Sequence, residues 1–156
     1  MYVDYLANHS KWVPIIAGWT YDTWSKYDPT LTFERSLASI QSRLNIDSIP
    51  LTLVVIDNNR PIATANLKAS VKVPGVPLDK IWLGSLFVLP EYRNKGVGSM
   101  LIHTIYTEAI KRGQSELYLF SSDTSVLPWY QRRDWRIISL LPFQNHTATV
   151  MKKDLY

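Results

Sequence analysis

A chain of 156 residues that is 46% hydrophobic and 19% charged suits one globular domain with one core, not a disordered segment. It has no cysteine, which excludes disulfides, thiolate zinc sites and a cysteine nucleophile. Its net charge of +4 comes from scattered basic residues, so no nucleic-acid face is expected, whereas an anionic small ligand suits the balance. No apolar run reaches the length of a membrane helix, and Met1-Tyr2-Val3-Asp4-Tyr5 lacks the basic and apolar regions of a signal peptide. A cytoplasmic protein, monomer or homodimer, with no membrane partner is the expectation.

In chain order, Trp12, Ile15, Ile16 and Trp19 recur at helical spacing and predict a helix from Ser10 to about Lys26, with Pro14 tolerated in its first turn. Trp19, Tyr21, Trp24 and Tyr27 crowd its end. They are either core packing or an aromatic wall over a pocket, since Trp and Tyr bury area while keeping a polar edge. Asp28-Pro29 breaks the chain, and Thr32 offers an N-cap. Phe33, Leu37, Ile40 and Leu44 then predict a second amphipathic helix ended near Asn45. Residues 51–57 and 62–67 read as a hairpin across Asn58-Asn59-Arg60-Pro61. A Pro/Gly-containing loop over 71–79 precedes a long strand at 80–89.

The next helix is predicted from Gly96 to Arg112, with Met100, Leu101, Ile102, Ile105 and Ala109 buried and Gly113 just past its end. His103 has no partner at metal-ligand spacing and is an ordinary helix residue. Residues 116–120 read as a strand parallel to 80–89, reached through a right-handed crossover. A polar loop over 121–125, a short helix over 126–133 and strands at 135–141 and 147–152 complete the chain. No repeat or linker divides it. The single domain 1–156 has two N-terminal helices (1–50), then a hairpin, long strand, glycine loop and main helix (51–112), then the last strands and short helix (113–156).

The most informative stretch is Leu86-Phe87-Val88-Leu89-Pro90-Glu91-Tyr92-Arg93-Asn94-Lys95-Gly96-Val97-Gly98-Ser99. A strand runs through two closely spaced glycines into a helix. Such a turn offers bare main-chain N–H groups and the positive end of the helix dipole to an anion. It is neither the Gly-x-Gly-x-x-Gly dinucleotide fingerprint nor a Walker loop.

Val88 to Gly98, reading Arg93-x-x-Gly96-x-Gly98, resembles the acetyl-CoA motif of the GNAT superfamily of N-acetyltransferases. Leu127-Pro128-Trp129-Tyr130-Gln131-Arg132-Arg133-Asp134-Trp135 resembles that superfamily's later segment, Phe/Leu-Tyr-x-x-x-Gly-Phe. The likeness covers roughly residues 50–152, and the two N-terminal helices fit the acceptor side. It implies an α/β (α+β) fold: a mixed, mostly antiparallel sheet of six to seven strands with helices on both faces. It also implies acetyl-CoA as cosubstrate, no metal, and transfer of the acetyl group by direct attack of an amine. The acceptor would be a small molecule or a peptide or protein N-terminus.

In that reading Arg93, Asn94, Lys95, Gly96, Val97, Gly98 and Ser99 hold the diphosphate. Phe87 or Val88 presents an N–H to the thioester oxygen where two strands splay. Tyr130 stands as the acid beside the leaving sulfur, a phenol being protonated at neutral pH. The strand Ile81-Trp82-Leu83-Gly84-Ser85-Leu86-Phe87 carries no carboxylate to serve as base. Ser85 could hold a water there, and Asp22 and His146 are further candidates, whereas Glu91 reads as a solvated turn residue. Two departures stand out. Asp134-Trp135 replaces the usual Gly-Phe, which a left-handed Asp can satisfy. Ser121-Ser122-Asp123 replaces a loop that often holds Asn, so Ser122 or Asp123 would contact the pantetheine arm. Trp19, Tyr21 and Trp24 are the acceptor-binding candidates. The missing carboxylate keeps a second reading open, a non-catalytic acyl-CoA-binding sensor.

Overall fold

The computed structural model describes all residues from Met1 to Tyr156. The elements are β1 (Tyr2–Tyr5), α1 (Val13–Trp24), α2 (Phe33–Gln41), β2 (Leu51–Asp57), β3 (Arg60–Lys68), β4 (Trp82–Val88), α3 (Val97–Lys111), β5 (Glu116–Ser121), α4 (Leu127–Gln131), β6 (Arg136–Phe143) and β7 (His146–Asp154). The seven strands form one sheet in the order β1-β2-β3-β4-β5-β7-β6. Only β4 and β5 run parallel; every other pair is antiparallel. This is the mixed, mostly antiparallel sheet that the sequence predicts, at the upper end of the strand number.

Alternation along β2 divides the core between the two faces. Leu51, Leu53 and Val55 join the cluster around α3, while Val54 and Ile56 join the cluster formed with α1 and α2. Both faces are covered, so β2 reads as a continuous apolar run. On β3, Ala63, Ala65 and Leu67 face α3, and Thr64, Asn66 and Lys68 take the alternate positions. The α3 stripe is Val97, Leu101, Ile102, Ile105 and Ala109, all buried; Met100 is only half-buried.

Several boundaries move for physical reasons. β1 was not anticipated: four residues at a sheet edge are too short to show a period. Residues 6–12 form 3-10 turns with a kink at His9 (φ −138°), so α1 starts at Val13, not Ser10. α2 stops at Gln41, and Leu44 instead bridges to Leu51. Phe33 lies on the exposed side of α2. β4 starts at Trp82, because Lys80 N–H still closes a turn on Pro77 O at 3.3 Å.

A buried carboxylate ties β1 to α3. The Tyr5 hydroxyl donates to both oxygens of Glu108, at 3.0 and 2.9 Å. Arg112 pairs with Glu108 and also donates to the Ile46 carbonyl. Glu108 is only 8% exposed, so each polar contact there replaces water.

Candidate active site

The site starts from a fault in the sheet. The β3–β4 register slips between Thr64 and Asn66, and Ser85 sits opposite the slip at φ +53°. A left-handed residue in mid-strand marks a bulge that bends β4. On its other edge, β4 pairs with β5 only at Trp82 and Tyr118, after which the two strands part. Leu89 donates its N–H to Ile62 O at 2.9 Å. By the alternation of an antiparallel ladder, the Phe87 N–H also turns to β3 and the Val88 N–H points into the gap. The Val88 carbonyl, on the same side, accepts from Arg93 Nε at 2.8 Å.

The chain leaves β4 through Pro90–Tyr92 and re-enters helix at Val97, with Asn94 at φ +60° and Gly96 at φ +81°. Glycine takes the left-handed position at the N-cap without steric cost. No side chain caps this terminus. The first helical bond runs from Met100 N–H to Gly96 O, so the Val97, Gly98 and Ser99 amides have no partner in the helix. Gly98 serves close packing: a Cβ there would lie 3.3 Å from the Trp129 ring. Arg133 stacks on that ring at 3.7 Å and donates from Nη2 to Ser99 Oγ at 2.7 Å and from Nη1 to Trp129 O at 2.9 Å.

Tyr130 follows on α4, with Trp129 and Trp135 edge-on to its ring. Burial pushes its phenol above the ordinary value, so the hydroxyl stays protonated at neutral pH. After β5, the Asp123 carboxylate accepts from Ser125 Oγ at 2.6 Å and Ser125 N–H at 2.9 Å, which holds its pKa low. Ser122 Oγ lies 2.7 Å from His146 Nε2.

These residues face one cleft of about 1280 Å³. Of the sequence candidates, Ser85, Phe87, Val88, Arg93, Asn94, Gly96, Val97, Gly98, Ser99, Ser122, Asp123, Tyr130 and Trp24 line it. Lys95 does not: it is exposed, with its ammonium 5.8 Å from the Tyr92 ring. Trp19 lies behind the wall, its ring 5.2 Å from Phe87, and Tyr21 is also outside the lining. Asp22 and Glu91 are exposed outside the cleft, and His146 lies just behind its lining, hydrogen-bonded to Ser122 and packed against Tyr27 and Phe143. No group of three or more His, Cys, Asp or Glu side chains is placed to hold a metal. No helix is long and apolar enough to cross a membrane.

The family model described as "Acetyltransferase (GNAT) family" matches residues 12–135. The chain belongs to the GNAT family.

The GNAT assignment agrees with solved structures similar to this one. An aminoglycoside 6'-N-acetyltransferase complexed with coenzyme A superposes with a TM-score of 0.74 at 14% identity, over 100% of this chain and 98% of that one. A ribosomal-protein-alanine N-acetyltransferase from Brucella melitensis gives 0.74 at 15% identity, over 99% of each chain. A GNAT family acetyltransferase from Elizabethkingia anophelis with acetyl-CoA bound gives 0.62 at 16% identity, over 86% of this chain and 89% of that one. Likeness at such identities establishes the shared fold. No curated protein sequence matches the chain.

Sequence reasoning on this GNAT member missed several lining residues. Trp129 and Arg133 stand at i, i+4 on and just after the short helix, and that spacing was the available signal. Ser36, Ser39 and Arg43 also line the cleft, at i, i+3 and i+7 along and beyond α2. Lys68, at the end of β3, faces it as well.

Proposed function

We propose that this chain transfers an acetyl group from acetyl-CoA to a primary amine within one ternary complex. The observation that carries the reading is the parting of β4 from β5 beyond Trp82, which opens onto the uncapped first turn of α3. The residues present fit such a donor. A diphosphate would meet the amides of Val97, Gly98 and Ser99 and the dipole of a fifteen-residue helix. Arg133, stacked on Trp129 beside Ser99, adds a fixed positive charge at the same end. When bound, acetyl-CoA supplies an activated thioester.

The chain's own groups then have distinct tasks. The Val88 N–H, turned into the gap, is positioned to donate to an oxygen that gains negative charge. The Tyr130 phenol, kept protonated by burial, can give a proton to a departing sulfur. A proton leaving the amine has a hydrogen-bonded route through Ser122 Oγ to His146 Nε2. Ser85, at the bulge, can orient a water beside it. The aromatic lining of Trp24, Tyr27 and Phe143 excludes bulk water from the acceptor end.

A panel of primary amines supplied with acetyl-CoA, read by release of free CoA, tests the proposal. Tyr130→Phe is expected to lower kcat by about 100-fold or more, as for loss of a general acid, with acetyl-CoA affinity kept within about twofold. An unchanged kcat would remove Tyr130 from the chemistry. The absence of a carboxylate from β4 favours a second reading, a sensor that binds acyl-CoA without turnover. Amine-dependent CoA release rules that reading out.

A further inference from the structure

The acceptor end of the cleft contains two partly buried cations that no carboxylate pairs. Arg43 follows α2 on the same side as Ser36 and Ser39, and Lys68 closes β3. Neither side chain makes an ion pair; the ion pairs of the structure all lie elsewhere. The site is built to admit the lysine. A Cβ on Gly84 would fall 2.4 Å from Lys68 Cε, so the neighbouring strand carries glycine where Lys68 crosses it. Burial, with the nearby Arg43 charge, lowers the Lys68 pKa to about 8, so the ammonium is held there against its own solvation. Beside it, Asn66 is buried with both side-chain polar atoms unpaired, and the Ser36 hydroxyl is also buried and unpaired.

The cosubstrate's diphosphate cannot serve as the missing counter-charge. The Lys68 ammonium lies against Gly84, whereas the loop to α3 begins beyond Val88 at the other end of β4. The four residues of strand between them span roughly 13 Å, more than the screening length of about 8 Å at physiological salt. Nor do the cleft's two acids serve: neither Asp28 nor Asp123 forms an ion pair with Lys68 or Arg43, and both are turned to local donors, Asp28 to Thr30 and Gln144 and Asp123 to Ser125.

We propose that the acceptor is an amine that also carries an anionic group, a carboxylate or a phosphate, and that Lys68 and Arg43 grip that group together. The inference rests on the acetyl-transfer reading. A guanidinium fork and an ammonium offer the donors that either anion takes. Trp24, Tyr27 and Phe143 give the rest of the acceptor an aromatic wall. A polycationic amine meets the opposite charge pattern at this end: it would face Lys68 and Arg43.

Matched acceptors test this. Phenylalanine is compared with phenylalaninamide, phosphoethanolamine with ethanolamine, and the polyamine spermidine stands as the cationic control. All are assayed by acetyl-CoA-dependent CoA release on the wild type and on Lys68→Met, Arg43→Met and the double variant, each checked for folding by thermal unfolding. In at least one pair the anionic member is expected to have a kcat/KM at least tenfold above its neutral twin. That preference falls to within twofold in the double variant, and the preferred pair tells a carboxylate from a phosphate. Equal rates within both pairs, a preference for spermidine, or a preference untouched by the double variant overturns the inference. If no amine releases CoA, the transfer reading fails instead. The inference is then decided by calorimetry on the CoA-loaded protein. An anionic member that binds at least tenfold tighter than its twin, and loses that margin in the double variant, supports it; equal or undetectable binding overturns it.

Discussion

Lys68 shows how a single residue can trade stability for function. Its folded-state pKa of about 8 lies below the ordinary 10.5. The charged form is therefore disfavoured in the fold, and at pH 7 that lysine costs up to about 3 kcal/mol. Between pH 8 and 10.5 the folded protein has released this proton while the unfolded chain still holds it, so wild-type stability rises with pH across that window. Lys68→Met is expected to be the more stable protein at pH 7, with the gap closing by pH 10.5 in denaturant titrations. A gap that does not change with pH would place the lysine's charge in water. Residues with left-handed backbone were partly legible. Gly96 announced itself, and Asp134 at φ +66° stands where the family pattern has glycine. Ser85 at φ +53° was readable only as a candidate water-holder, because nothing in Leu83-Gly84-Ser85-Leu86 signals a bulge. Lys68 was not legible at all. Alternation says which side of β3 it occupies, but its meeting with Gly84 depends on the register between β3 and β4.

At the scale of elements, α3 is both the helix whose uncapped first turn opens onto the cleft and the strut that fixes the sheet edge. Its apolar stripe was legible because four of its positions repeat at helical spacing and are fully buried: Leu101, Ile102, Ile105 and Ala109. Its polar anchor was not, because Glu108 finds Tyr5 across 103 residues of sequence, and β1 itself is too short to show a period. Glu108→Leu leaves Arg112 without its carboxylate and the Tyr5 hydroxyl without an acceptor. Removing one partner of a buried pair is expected to cost about 3–5 kcal/mol, read as a fall in the urea midpoint at pH 7. Loss of less than about 1 kcal/mol would mean that the pair is solvated. The helix ends were less legible than the stripes. Thr32 caps α2 as expected, its Oγ1 accepting from Arg35 N–H at 3.1 Å, yet the apolar spacing carried the expectation three residues past the true end.

For the whole molecule, the sheet joins two jobs at one fault line. β1 to β4 form one continuous antiparallel half and β5 to β7 another, and they touch through a single parallel pair. The gap between them leads from the amides of α3 past Val88 to the aromatic and cationic surface beneath α1 and α2. The central claim is that a CoA thioester lies in that gap with its diphosphate on the α3 turn. Calorimetric titration of acetyl-CoA into the wild type and Gly96→Trp tests it most directly. A Cβ at Gly96 meets nothing within 4 Å, so the added ring does not displace the core, but at φ +81° a side chain strains the turn, so the variant both covers the amides and disturbs the loop that presents them. Thermal unfolding confirms that the variant still folds. The account predicts saturable one-to-one binding to the wild type and at least a tenfold loss of affinity in the variant. Undiminished binding by a folded Gly96→Trp protein, or no binding by the wild type, would contradict it.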